Sequence, residues 1–538
     1  MSSGDSPNLI LTGFMGTGKS SVARIIAQRT RRSLVDMDTE IERRARKSIP
    51  QIFAEDGEEV FRAIEAALCR ELSEQRGLVI STGGGALINE TNRDLMLNSG
   101  TVMLLRCDVD EILHRVQGGS HGDRPLLIVD DPPSAIERLL RQRKPAYDAI
   151  PWHIDTTGKA IEDVAEQAMQ VAEAMSLSVE YPGGRYPIHV GAGLLAQAGG
   201  AFPAAGVPDG GRVAIVSNPI VAPLYADALE ATLEQAGYRP FVCQIPAGEE
   251  NKTLDTVSTL YGQFLDGNLD RSGTVLSLGG GVTGDLSGFA AASFMRGVAF
   301  IQVPTTLLAM VDASIGGKTG VDLPQGKNLV GAFKQPSLVL IDPDVLKTSP
   351  EVEMRSGLAE VIKHGLIADQ VLFGTLETME RELSYWWGDH AVAQIVRALR
   401  VKQSIVEEDP FERGRRAVLN LGHTIGHALE KVSDYSLRHG EAVSIGMVGA
   451  ADIAQTLGGC DSNLGMRIRN ILSRWGLPID SPPYPVESLL QAMSRDKKRQ
   501  GRGLRWILPR DIGQVEIVED VPIDVVKTTL CNLGARSD

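Results

Sequence analysis

Residues 8–30, NLILTGFMGTGKSSVARIIAQRT, decide the fold of the first part of the chain. NLILTG is a short apolar run of strand character, and SSVARIIAQRT has helical periodicity. Between them, Gly13-Phe-Met-Gly-Thr-Gly-Lys-Ser20 fits G-x-x-x-x-G-K-[ST] in full. A loop of this kind, running from strand to helix, wraps nucleotide phosphates in backbone N–H groups. Gly16, Thr17, Gly18 and Ser21 belong to that wrap, Lys19 reaches the β and γ oxygens of ATP, and the Ser20 hydroxyl ligates Mg²⁺.

Outward from the loop, strand and helix patterns alternate. SLVDMD, GLVIST and TVMLLR read as further strands with amphipathic helices between them, which implies a parallel sheet with helices on both faces. Asp36 and Asp38 close one strand two residues apart, so strand alternation points both carboxylates to one side. One suits Mg²⁺ and the other a substrate hydroxyl, although a pair of solvated turn acids fits equally. Phe61-Arg62 with Glu65 one helical turn on, Gly83-Gly84-Gly85 after a strand, Arg124 in the lid-like GGSHGDRPLL and Arg143-Lys-Pro-Ala-Tyr147 complete the set. The pattern closes with an Ala- and Glu-rich helix near 159–175. Pro and Gly then break the periodicity, so a domain is expected over 1–175 and a linker over 176–184.

In this order and over about 170 residues, P-loop, D-x-D, F-R-x-x-E, G-G-G, R-P-L-L and R-x-P-x-Y resemble shikimate kinase. The resemblance implies that Asp36 supports the metal and that Asp38 binds the shikimate hydroxyl and assists its attack. It makes Arg62 and Arg143 the carboxylate clamp, packs Gly83, Gly84 and Gly85 on the ring, and closes Arg124 over the transferring phosphoryl group. Phosphoryl transfer is mostly positioning and charge neutralisation, which such a set supplies. A gluconate- or nucleoside-type P-loop kinase is the alternative.

A second α/β alternation follows, expected as a nucleotide-binding domain over 185–345. After about residue 345 strand signals fade, so a mostly helical domain is expected over 346–538. The strand TVLSLGGG runs into Gly279-Gly-Gly-Val-Thr-Gly284-Asp285, a turn placed for a pyrophosphate although it is not G-x-G-x-x-G. Glu249 in PAGEENK suits ribose hydroxyls. Arg296, Asp312, Lys318, Lys327 and Asn328 gather around Pro304-Thr305-Thr306 as an anion site. Glu360 in GLAEVIKHG and His423, His427 and His439 in LNLGHTIGHALEKVSDYSLRHGE suggest a metal. By spacing alone His423 and His427, at i and i+4, share a helical face and make a ligand pair. HTIGH is not H-E-x-x-H, which disfavours a metalloprotease.

From PAGEENK through LGGGVTGDLSGF, VPTTLLAMVDASIGGKTGVD, GLAEVIKHG and LNLGHTIGHALE to HGEAV, this half resembles 3-dehydroquinate synthase. The resemblance implies that Glu360, His423 and His439 bind Zn²⁺ (or Co²⁺), with His427 on the substrate instead. It implies NAD on Glu249, Lys252, Gly281, Asp285, Thr305, Thr306, Lys327 and Asn328. Arg296, Asp312, Lys402 and Lys497 would bind substrate, with Lys318, Lys363, Arg416, Asn420 and His427 in the catalytic set. The implied activity converts 3-deoxy-D-arabino-heptulosonate 7-phosphate to 3-dehydroquinate and phosphate, with NAD not consumed. A glycerol-dehydrogenase-like oxidoreductase needs fewer cations, and another sugar-phosphate cyclase is the nearer competitor.

Bulk properties agree with two fused enzymes. The chain has 538 residues, more than one core holds at ~150 residues per domain. Its net charge of −14 argues against a nucleic-acid partner, whose phosphates need clustered Lys and Arg. Five scattered cysteines without Cys-x-x-Cys fit reduced thiols and a cytoplasmic protein. No signal peptide or apolar run of ~20 residues is evident, which leaves no membrane partner. A homodimer through the second half is expected.

Overall fold

The computed structural model describes residues 6–117, 131–500, 505–519 and 521–537. The described chain divides into two compact units. One comprises Met1–Ala174 with Leu194–Gly211 and Ala228–Arg239, and the other Met175–Gly193, Arg212–Asp227 and Pro240–Asp538.

In the first unit, strands β1 (Asn8–Gly13), β2 (Ser33–Asp36), β3 (Leu78–Ser81), β4 (Gly100–Arg106) and β5 (Trp152–Asp155) form a parallel sheet in the order β2-β3-β1-β4-β5. The central β1 is buried along its whole length, as expected of a parallel strand covered on both faces. Ile10, Ile80, Val102 and Leu104 of the sheet pack with Phe61, Leu68 and Leu72 of the helix Glu58–Ser73. The carboxyl ends of β1, β2 and β3 thus face one crevice, where ligands of open parallel sheets bind.

The second unit is built on a seven-stranded sheet. Its strands are β6 (Met175–Tyr181), β7 (Gly184–Val190), β8 (Arg212–Ser217), β9 (Arg239–Gln244), β10 (Thr274–Gly279), β11 (Ala299–Pro304) and β14 (Leu338–Ile341), in the order β6-β7-β14-β11-β10-β8-β9. Strand order reverses between β8 and β10, which makes the carboxyl end of β10 the switch point of the sheet. An antiparallel hairpin, β12 (Lys318–Leu323) with β13 (Gly326–Phe333), departs from the sheet after β11. From Glu351 onward helices dominate, and a second hairpin, β15 (Arg505–Asp511) with β16 (Gln514–Glu519), lies near the end of the chain.

Two expectations differ from this structure. Residues 176–184, expected as a linker, are the edge strand β6 and a tight turn, with β6 antiparallel to β7. Pro182 and Gly183 break the periodicity because they make a hairpin turn, with Gly183 at φ 123°. The domain after residue 345 is mostly helical as expected, with the hairpin β15–β16 near its end. Asp38 is not on a strand: β2 ends at Asp36, whose side chain caps the helix Met37–Ala45 by accepting from the Thr39 N–H.

Candidate active sites

The first site lies at the carboxyl ends of β1, β2 and β3. Gly16 and Gly18 have φ values of 77° and 88°, a left-handed backbone that only glycine adopts without strain. The helix Lys19–Thr30 starts from Gly18, which places Ser20 and Ser21 in its first turn, next to the loop. Thr17 Oγ1 donates to the Phe14 carbonyl at 2.8 Å, and Lys19 Nζ lies on the same oxygen at 2.9 Å. Ser20 Oγ donates to Asp36 Oδ2 at 2.7 Å, which brings two hard oxygens together where Mg²⁺ is expected.

Asp38, Arg62, Glu65 and Arg143 converge on the glycine run. A Cβ on Gly83 would lie 2.8 Å from Asp38 Oδ1 and 3.1 Å from Glu65 Oε1, and one on Gly85 would lie 2.8 Å from Arg62 Nη1. Any side chain there would displace these charged groups. Arg143 Nη1 and the Tyr147 hydroxyl both donate to the Gly84 carbonyl, at 2.9 and 3.0 Å. The Arg143 guanidinium also lies 5.0 Å from the Phe14 ring centroid. Arg62 Nη1 is 2.8 Å from Glu65 Oε2, and Glu65 is buried. Burial pushes the Glu65 carboxyl above its ordinary pKa, against the pull of Arg62. Glu65 was quoted in the sequence without a role; its i, i+3 spacing from Arg62 is the signal that it anchors that side chain. Arg124 lies outside the described residues.

In the second unit the helix Gly281–Ser293 begins directly after β10, with Gly280 as its cap. A Cβ on Gly279 would meet the Thr283 side chain at 2.5 Å and force it to move, while one on Gly280 would press on Thr306 at 3.2 Å. Thr305 N–H donates to the Gly279 carbonyl at 3.0 Å, while the buried Thr305 hydroxyl has no partner among the described residues. Lys252 Nζ lies 2.5 Å from Asp285 Oδ2 and donates to Asn328 Oδ1 at 2.6 Å. Lys327 Nζ is 3.3 Å from Glu249 Oε1. Gly281 and Asp285 thus sit in the first turns of the helix that leaves the switch point, Thr306 packs against Gly280 there, and the N-terminus of this 13-residue helix suits a pyrophosphate.

The metal candidates meet around Glu360, which is wholly buried on the helix Glu351–Ala368. Its Oε1 lies 3.4 Å from His439 Nε2 and 3.8 Å from His423 Nε2, and Lys363 is ion-paired to its other oxygen. Neither carboxylate oxygen has a well-formed hydrogen bond among the described residues. The three imidazoles lie within 6.4 Å of one another by ring centroid, but His427 is the exposed one. Burial and Lys363 press His423 well below its ordinary pKa, leaving a neutral imidazole with a lone pair to give. A buried carboxylate facing two imidazoles fits a divalent metal of zinc type and leaves positions open.

Beside it, Lys402 Nζ donates to the Asp312 backbone oxygen and Oδ1, both at 2.5 Å. Burial opposes the Asp312 charge, but Lys402 and Lys363 hold its carboxyl well below the usual range. The buried Arg416 donates to the Pro410 carbonyl at 2.7 Å and to the Gly316 carbonyl at 3.3 Å. Lys318 and Asn420 both reach Glu412, a carboxylate that sequence reasoning passed over. His364, with both ring nitrogens buried and lacking hydrogen bonds among the described residues, and Glu430 were also missed. Arg296 is exposed at the end of a short turn, at φ 68°, and among the described residues no contact draws it into this cluster. Lys497 falls on the helix Val486–Gln500, at a position whose side chain lies outside the described residues.

Known families match both units. The family models for the N-terminal and C-terminal parts of 3-dehydroquinate synthase match residues 242–356 and 357–499. The 3-dehydroquinate synthase of Synechocystis sp. is 48% identical over 361 residues, covering 66% of this chain and 99% of that protein. The chain belongs to the 3-dehydroquinate synthase family. Ahead of that part, residues 15–173 match the shikimate kinase family model, so kinase and synthase domains of the shikimate pathway are fused in one chain. Among solved structures, 2-epi-5-epi-valiolone synthase from Streptomyces hygroscopicus subsp. jinggangensis, with NAD⁺ and Zn²⁺ bound, has a TM-score of 0.61 at 30% identity. That match covers 66% of this chain and 98% of that one. A 2-deoxy-scyllo-inosose synthase complexed with carbaglucose-6-phosphate, NAD⁺ and Co²⁺ has a TM-score of 0.60 at 25% identity, covering 66% and 99%. Among the described residues, no helix is long and apolar enough to cross a membrane.

Proposed function

We propose that the kinase domain transfers the γ-phosphoryl group of ATP to a hydroxyl of shikimate. The synthase domain, in this reading, converts 3-deoxy-D-arabino-heptulosonate 7-phosphate to 3-dehydroquinate and phosphate. Mg²⁺-ATP supplies the phosphoryl group in the first reaction. Lys19 and the P-loop N–H groups hold its phosphates, and the Ser20 hydroxyl and Asp36 carboxylate offer the metal two oxygens. The Asp38 carboxylate, beside Gly83, receives the hydroxyl proton. Arg62 and Arg143 grip the substrate carboxylate over the glycine run, with Glu65 fixing the angle of Arg62. Arg124 belongs to the same set by its motif.

In the synthase, NAD and a zinc or cobalt ion, when bound, supply a hydride acceptor and Lewis acidity. Glu360, His423 and His439 hold the metal. Glu249, Lys252, Gly281, Asp285, Thr305, Thr306, Lys327 and Asn328 hold the dinucleotide. Lys318, Lys363, Lys402, Arg416 and Asn420 neutralise and orient a substrate that carries both phosphate and carboxylate, Arg296 and Lys497 join the set by their sequence motifs alone, and Asp312 holds Lys402 in place. His427, on the exposed side of the cluster, moves a proton at the substrate through its imidazole. The observation that carries this reading is the wholly buried Glu360 facing two imidazoles and a lysine. The net charge of −14 supports an enzyme without a nucleic-acid partner, and the scattered cysteines support a cytoplasmic one. Association of two copies through the synthase domain extends the reading, and sedimentation of the intact chain tests it.

Metal analysis of two purified variants tests the ligand set. His439→Ala should lose bound zinc and synthase activity together, because two remaining ligands hold it poorly. His427→Ala should keep near-stoichiometric zinc and lose activity. Zinc lost from the second and kept in the first would restore His423 with His427 as the ligand pair.

A further inference from the structure

Glu430 lies on the helix His423–Val432, seven residues after His423 and three after His427, so all three share one helical face. Its side chain is 7% exposed, and its Oε1 lies 3.5 Å from His439 Nδ1. On the other side of the same ring, His439 Nε2 lies 3.4 Å from Glu360 Oε1. One imidazole thus stands between two buried carboxylates, and these differ in their other partners. Glu360 also faces His423, whereas Glu430 faces Lys327, whose Nζ is 3.9 Å from Oε1. The point where two imidazoles converge is therefore on the Glu360 side. Lys327 is itself held over the Tyr435 ring at 4.2 Å, and the Tyr435 N–H donates to the Glu430 carbonyl at 2.7 Å. That turn, with Asp434 and Tyr435 left-handed at φ 51° and 59°, returns the chain so that His439 opens the next helix against Glu430.

We propose that Glu430 is a positioning residue for the metal centre. It accepts the Nδ1 proton of His439, which fixes the tautomer and presents the Nε2 lone pair toward Glu360. The inference rests on the ligand set proposed above. A carboxylate behind a metal-bound imidazole orients the ring and raises its basicity, and losing it typically costs about 10–100-fold in metal affinity.

The test uses the intact chain stripped of metal, with zinc affinity measured by competition against a chromogenic chelator. Glu430→Ala should bind zinc about 10–100-fold more weakly. Glu430→Gln keeps the size of the side chain and an oxygen that can accept from Nδ1, so it should recover most of that loss. His439→Ala in the same titration should lose tight binding outright. Wild-type affinity in Glu430→Ala, or a Gln variant as weak as the Ala variant, would overturn the role of Glu430 while leaving the ligand set standing. Wild-type affinity in His439→Ala would overturn the ligand set itself, and Glu430 with it.

Discussion

Replacing Lys252 with Met separates what its ion pair does for the fold from what it does for the ligand. The side chain is 5% exposed, and the ammonium lies 2.5 Å from the Asp285 carboxylate. Burial opposes its charge, but Asp285 and Glu249 hold its pKa above the ordinary lysine value. Methionine keeps the length and removes the charge, leaving Asp285, 22% exposed, without its partner. Breaking a buried pair in this way costs about 3–5 kcal/mol, and the residual exposure of Asp285 places the cost near the lower end. About 3 kcal/mol is roughly a hundredfold in the folding equilibrium. Lys252→Met/Asp285→Asn removes the stranded charge and should regain at least half of the loss, yet neither variant should bind NAD. Guanidinium unfolding followed by circular dichroism measures the first effect, and a fluorescence titration with NAD the second. A wild-type unfolding midpoint in the single variant, or NAD binding in the double variant, would refute the reasoning.

Two further outcomes are expected. Burial and Arg106 push His153 down to about 3, and burial pushes His189 down to about 4, so both are neutral in the folded chain. Their unfolded pKa is about 6.5, so this contribution to stability is fully present above that pH and is lost as pH falls through 6.5 toward 4. Melting midpoints from pH 7 to 4 should fall, and His189→Leu should flatten the upper part of the fall; an unchanged profile would refute it. A fragment ending at Ala174 should melt below the kinase transition of the intact chain. It lacks the 2.7 Å Lys144–Asp209 ion pair and the packing of Gly200 on the His153 carbonyl, where an added Cβ would lie 2.4 Å away. Equal melting temperatures would show that Leu194–Gly211 adds nothing to that unit.

What could be read from the sequence follows the range of the interactions. The P-loop is local: its glycines, Lys19 and Ser20 are contiguous, and strand and helix flank them directly. The alternation of apolar runs likewise disclosed the parallel sheet of the first unit and the α/β character of the second. Asp38 was misplaced because strand periodicity does not reveal that Asp36 ends its strand by capping the next helix. The edge strand β6 was hidden because the Pro-Gly turn that pairs it with β7 looks the same as a linker. Glu360 and His439 are 79 residues apart, and no spacing rule joins them; family resemblance paired them, and the fold brings them within 3.4 Å. Glu430 was different, since its spacing from His423 and His427 already put it on their face of the helix. His364, four residues after Glu360, likewise shares its helical face, whereas Glu412 had no such pattern and only the packing of distant elements exposes its contacts.

The central claim is that one chain carries two separate active sites, one at Lys19 and one at His439. Both reactions should be assayed on folded Lys19→Ala and folded His439→Ala, as phosphorylation of shikimate and as phosphate release from the heptulosonate phosphate. The account predicts a crossed result: Lys19→Ala loses the first and keeps the second nearly intact, and His439→Ala does the reverse. Loss of both activities in either folded variant would contradict it.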